Sequence, residues 1–131
     1  MSLALTQPPG GLTFQSETIS AKTASGTVSV GAVVKIDLSD LVAATPLITV
    51  TVGTSTDPGF YGVCTKAMSP TSSGTIQLGG VADVSSNGAY AEGDVLACKA
   101  TDGTVDTVAT GDYAIGIAME AATGAGQKHP V

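Results

Sequence analysis

Residues 79–119, GGVADVSSNGAYAEGDVLACKATDGTVDTVATGDYAIGIAM, constrain the fold more than any other stretch of this chain. Four turn signals punctuate it: Asn87-Gly88, Glu92-Gly93-Asp94, Asp102-Gly103 and Gly111-Asp112. Between them lie short runs of Val, Ile, Leu and Thr. Asn-Gly and Asp-Gly favour type I′ hairpin turns, because both central residues need positive φ and these residues tolerate it; Gly111-Asp112 suits a type II′ turn with Gly first. Strands joined by such turns are antiparallel neighbours, so the stretch predicts a meander of short strands.

The same punctuation extends toward the N-terminus. Thr27 to Val30 alternates polar and apolar residues and reads as a half-buried strand, turned by Gly31. Ala32 to Ile36 follows, with Val34 and Ile36 on one face. Asp37 to Ala44 predicts one helical turn capped by Asp37 or Ser39, ending before Pro46. Leu47 to Val52 places Ile48, Val50 and Val52 inward and Thr49 and Thr51 outward. Thr56-Asp57-Pro58-Gly59 is a turn with Pro at its second position. Strands from Tyr61 to Cys64, Thr75 to Leu78 and Val81 to Val84 follow, the last two separated by Gly79-Gly80. In the last strand Ile115, Ile117 and Met119 share one side, and Ala114, Gly116 and Ala118 form a small-residue face that admits a close neighbour. The tail to Val131 predicts a turn and a terminal edge strand. A faint echo between the Gly31 and Gly93 regions suggests two similar strand modules packed in one barrel.

Residues 1–24 have a different character. Leu3 and Leu5, then Leu12 and Phe14, are apolar pairs at period two, separated by Pro8-Pro9-Gly10-Gly11. Period two means an extended segment with one apolar face, and the Pro-Gly break rules out a continuous helix. Two readings stand: a loose terminus, or an arm that adds to another subunit as a strand. The division is therefore an extended arm over 1–24 and a barrel domain over 25–131.

Composition limits the chemistry. A chain of 131 residues forms one domain. With 4% aromatics, no Trp and 17 glycines, its core must rest on Val, Ile, Leu and Ala. The net charge is −6, and the five basic residues are all lysine. Nucleic-acid binding requires clustered Lys and Arg, and an anionic membrane surface asks for the same, so both partners are excluded. No apolar run is long enough to span a bilayer, and the start lacks the basic region of a secretion signal. Cys64 and Cys98 could pair, but without such a signal buried free thiols are favoured.

Catalytic and metal-binding patterns are missing. His129 is the lone histidine, near the C-terminus, and reads as an exposed bystander. One His and two Cys cannot assemble a usual zinc site, so neither metal nor cofactor is expected. No nucleophile elbow follows any serine, and Gly79-Gly80 lacks the lysine of a phosphate loop. Glu92, Asp94, Asp102, Asp106 and Asp112 sit in or beside turns, where Asp commonly bonds its own backbone. The expectation is a protein that is not an enzyme.

The succession Gly31-Ala32-Val33-Val34, Gly62-Val63, Gly80-Val81-Ala82, Glu92-Gly93-Asp94-Val95-Leu96 and Ile115-Gly116-Ile117-Ala118-Met119-Glu120-Ala121-Ala122 resembles the small tailed-phage capsid decoration (cement) proteins. These are broadly comparable to the lambda-type head decoration protein, and the resemblance covers roughly residues 26–131. It departs at Val131, where a final strand would be expected to run on. The resemblance implies an all-β fold, a small antiparallel β-barrel or β-tulip with an extended N-terminal arm. It implies a structural virion protein, made in the bacterial cytoplasm, that sits on the capsid exterior as a homotrimer and bridges major capsid protein subunits. Leu3, Leu5, Leu12 and Phe14 are then the candidate capsid or subunit contacts. The alternative is a β-rich fibre or adhesin module binding a host surface or polysaccharide. Such a module usually exposes aromatics for stacking on sugars, and only Phe14, Phe60, Tyr61, Tyr90 and Tyr113 are available.

Overall fold

A computed structural model describes residues 17–37, 47–53, 59, 61–99 and 102–131. Leu3, Leu5, Leu12 and Phe14, the helical turn expected at 37–44 and the turn at 56–59 fall wholly or mainly outside these. The described residues are all-β, without a helix. β1 (Thr18–Thr23), β2 (Val33–Ile36), β3 (Ile48–Val52), β4 (Tyr61–Lys66) and β5 (Gly74–Gln77) close into a barrel in the order β1-β3-β2-β4-β5. β1 runs parallel to β3 and antiparallel to β5, and the other pairs are antiparallel.

The barrel therefore begins inside the segment assigned to the arm. In β1 the inward residues are Ile19, Ala21 and Thr23, of which Ala21 and Thr23 are buried. Closing the barrel requires this strand between β3 and β5, so the boundary at residue 24 moves to the start of β1. The strand expected at 27–30 shrinks to a single bridge, in which Val28 and Met68 exchange both backbone bonds at 2.9 and 3.1 Å.

The second half carries β6 (Asp83–Ser85), β7 (Val95–Lys99), β8 (Thr104–Thr107), β9 (Ala114–Ile117) and β10 (Lys128–Pro130). β10 pairs with β6, supplying the terminal edge strand expected from the tail. The other three form a sheet in the order β8-β7-β9. This corrects the meander: β9 does not return beside β8 but crosses to the free edge of β7, where Val95 faces Ile117. Three of the turn assignments change as well: Asp102-Gly103 lies between β7 and β8, but Thr104 pairs with Lys99, so the pair is not a two-residue hairpin turn. Ala109 O accepts the Asp112 amide at 3.0 Å, which puts Gly111 third in its turn with φ +90°, as a type II turn requires. Asn87-Gly88 closes no hairpin: Ser86 bridges Val105 in parallel, and the Asn87 amide bonds the Val105 carbonyl at 2.7 Å.

Alternation along β2 explains how the halves join. Val34 and Ile36 point into the barrel with Val50, Cys64, Met68 and Ile76. Val33 points the other way, into a second core with Val84, Tyr90, Leu96, Cys98 and Val105. One strand thus serves two cores, so the paired modules suggested by the sequence echo lie side by side rather than within one barrel. Each of these larger side chains stabilises the fold by roughly 1.5–3 kcal/mol. Cys64 and Cys98 lie in different cores as buried free thiols. The β7–β8 hairpin tip is fixed to β2 by the Val33 amide donating to Gly103 O at 2.9 Å.

Candidate functional site

The polar residues singled out in the sequence serve the fold. Two turns share the pattern Ala-x-Gly-Asp, at 91–94 and 109–112. In each, an Asp Oδ2 accepts the amide of the leading alanine at 2.9 Å. Asp112 also takes the Lys99 ammonium at 2.6 Å, with only 7% of its side chain exposed, and so ties the crossover loop to β7. Asp102 Oδ1 accepts the Thr104 hydroxyl at 2.7 Å, and this bond holds the carboxyl below its usual range. Asp106 caps the amide of Thr107. Among the described residues no three His, Cys, Asp or Glu side chains are placed to share a metal ion.

His129 departs from the expectation of an exposed bystander. It lies on β10 opposite Val84, with Nδ1 3.3 Å from Glu120 Oε2 and Nε2 3.1 Å from Gln127 Oε1. The pairing makes it a strand residue that fastens the tail to the 120–127 loop. Tyr90 is buried in the second core and Tyr61 is half-buried, whereas Tyr113 is 48% exposed. One aromatic of the described set is thus presented outward.

The feature with the shape of a binding surface is an apolar groove of about 520 Å³. One wall is the outer face of the barrel, with Tyr61 and Val63 from β4. The floor passes through Leu78 and Val81, and the far wall is β9 and its continuation, with Ile117 and Met119. Ile117 is 58% and Met119 48% exposed, so this rim keeps large apolar side chains in solvent. The alternation of Ile115, Ile117 and Met119 is visible in the sequence. That their side stays open is not visible, because it depends on which edge of β7 receives β9. The small-residue face works as expected: a Cβ on Gly116 would lie 2.6 Å from Val131 Cγ1, so the tail packs closely on β9 at this residue.

The candidate contacts Leu3, Leu5, Leu12 and Phe14 lie upstream of the described chain, which enters at Glu17. Its first fixed contact is at the groove, where the Leu78 amide donates to Glu17 O at 2.7 Å.

Comparison with known proteins bears on this surface. A search of curated protein sequences gives no match. A solved structure, the N base of the head fiber protein gp8.5 of bacteriophage phi29, is similar over 88% of this chain and 92% of its own. Its TM-score is 0.66 and its identity 17%, a likeness of fold. The family model described as phage cement protein matches residues 14–131, which takes in both cores, both walls of the groove and the residues that lead to it. The all-β barrel that the sequence predicted and the extent of this match agree, and the chain belongs to the phage cement protein family.

Proposed function

We propose that this structural phage protein attaches to the outer surface of the phage head and stabilises it by bridging major capsid protein subunits. The family match over residues 14–131 carries the reading. It is supported by an open apolar groove and by an upstream segment with four further apolar residues at period two. Leu3, Leu5, Leu12 and Phe14 are the first candidates for contact with the shell or a neighbouring subunit. Burial of such side chains at several contacts at once gives avidity without any single strong site. A homotrimer presents three such segments around one axis. Neither nucleic acid nor membrane has a part in this reading, and no cofactor or catalytic step is invoked.

Undecorated heads incubated with the full chain should carry it down on sedimentation and resist heat or chelation longer than bare heads. A variant lacking residues 1–16 should bind much more weakly. Full retention of binding and protection by that variant refutes the role of the segment, and failure of the full chain to bind heads refutes the proposal. The fold likeness to a head fiber base favours one second reading, a base for a longer appendage. Fusion of the chain to its genomic neighbour, or a visible projection on heads, would distinguish it.

A further inference from the structure

The second sheet carries apolar residues on both faces. Leu96 and Cys98 of β7 enter the core, and alternation turns Val95 to the opposite face. Ile117 of β9 lies directly across from Val95. On the other side Leu96 pairs with Thr107, so Val108 falls opposite Val95, and its amide donates to Val95 O at 2.9 Å. Residues directly across a strand pair share a face, so Val108, Val95 and Ile117 form one row across all three strands. All three are exposed. Further along that face Ala97 is fully buried and Lys99 is tied to Asp112 of the crossover loop, so the face opens to solvent at the row.

Large apolar residues are exposed almost entirely in this part of the molecule. Among the described residues Val95, Val108, Tyr113, Ile117 and Met119 belong to this sheet or to the segments that join and follow its strands, and the barrel half adds only Val30. Ile117 also walls the groove, which makes the row and the groove one apolar surface. Charge gathers here as well. Residues 79–131 hold seven carboxylates and two lysines, and one of these lysines, Lys99, is already paired with Asp112. The Gly93 amide donates to Ala118 O and the Ala118 amide to Asp94 O, both at 2.8 Å, which sets the turn at 91–94 beside the segment that follows β9. Glu92 and Glu120, both exposed, therefore stand at the end of the sheet from which Val95 and Ile117 project.

We infer that the row of Val108, Val95 and Ile117 is the face that docks on the phage head, against a protein surface whose apolar residues are rimmed by lysine or arginine. An apolar centre with a charged rim is the usual anatomy of a protein interface, and a basic rim on the partner pairs Glu92 and Glu120 as water leaves the row. A second copy does not supply that match. Two rows set face to face about a twofold axis would bring the same glutamates toward each other. Set against the barrel of a copy, the row would meet a surface whose described residues expose a single large apolar side chain, Val30. The inference rests on the proposed attachment to the head and gives that attachment a face.

Combining Val95→Thr, Val108→Thr and Ile117→Thr removes the apolar row and keeps branched side chains suited to strands. This triple variant should bind undecorated heads about tenfold more weakly than the full chain, at an unchanged urea midpoint. Val30→Thr should bind as the full chain does. Glu92→Gln with Glu120→Gln should flatten the fall of binding with added salt. In the unsubstituted protein, amide exchange across 115–119 should slow on heads while exchange at Val30 does not, a measurement that decides the matter if the triple variant fails to fold. Undiminished binding by a folded triple variant, or unslowed exchange across 115–119, overturns the inference and leaves head attachment standing. An unaltered salt dependence in the glutamine variant overturns the basic rim of the partner. Loss of self-association in the triple variant with head binding intact makes the row a contact between copies and overturns the inference too. Failure of the full chain to bind heads overturns both readings.

Discussion

Replacing Gly103 by alanine separates two costs that glycine avoids at the β7–β8 tip. Gly103 has φ +76°, and its added Cβ would lie 2.6 Å from the carbonyl oxygen and 3.0 Å from the amide nitrogen of Val33. A left-handed conformation costs a non-glycine residue about 1–2 kcal/mol. Forcing a methyl against backbone that cannot swing aside adds about 1–3 kcal/mol. Gly103→Ala should therefore lose about 2–5 kcal/mol, a large share of the roughly 5–15 kcal/mol that keeps a domain folded. Gly93 is the control, since it has φ +88° and nothing within 4 Å of its added Cβ. Gly93→Ala should lose only the conformational part, about 1–2 kcal/mol. Urea denaturation followed by far-ultraviolet circular dichroism measures both, with a fall in midpoint at unchanged slope as the signature of lost stability. Equal losses for the two variants would refute the claim that the hairpin tip is seated against β2.

Three further outcomes follow from named contacts. Asp112→Ala should cost about 2–4 kcal/mol and Asp94→Ala about 1 kcal/mol in the same assay, because both cap a turn but only Asp112 also leaves a partly buried lysine unpaired. Ser86 is fully buried, its hydroxyl donates to Gly124 O at 2.6 Å and it accepts the Gln127 amide at 3.1 Å; Ser86→Ala should cost about 1–3 kcal/mol and speed amide exchange at Gln127. Burial pushes the Cys98 thiol from its ordinary 9.0 up to about 12. The unfolded chain then loses this proton first, so stability is full below pH 9 and falls as pH rises toward 12; Cys98→Ala should flatten that alkaline decline in a midpoint-versus-pH series.

What could be read from the sequence was what short-range chemistry decides. The run from Ile48 to Val52 alternates because one face meets the barrel interior, and Val50 is indeed fully buried. Asp102-Gly103 does mark the reversal between β7 and β8, though not as a two-residue turn, because Thr104 pairs with Lys99. The route of β9 escaped notice because turn chemistry fixes where a chain reverses, not which edge receives it. β7 had a free edge on the side away from β8, and Lys99 with Asp112 holds the loop that crosses to it. β1 escaped for another reason. Its outer residues are Thr18, Ser20 and Lys22, and its buried ones, Ala21 and Thr23, are too small or too polar to stand out as an apolar face. The groove was beyond sequence reasoning because Val63, Val81 and Ile117 are far apart along the chain and converge only once both cores have formed.

The position of the groove on the seam between the cores gives it a mechanical meaning. At β2 and just before it the two halves are joined through the main chain: the Val33 amide donates to Gly103 O at 2.9 Å, and Gly31 O accepts the Ser85 amide at 2.9 Å. At the groove they meet through side chains, with Tyr61 and Val63 of the barrel against Ile115 and Val131 of the second core. Main-chain bonds resist sliding, whereas apolar contacts resist separation but permit shear.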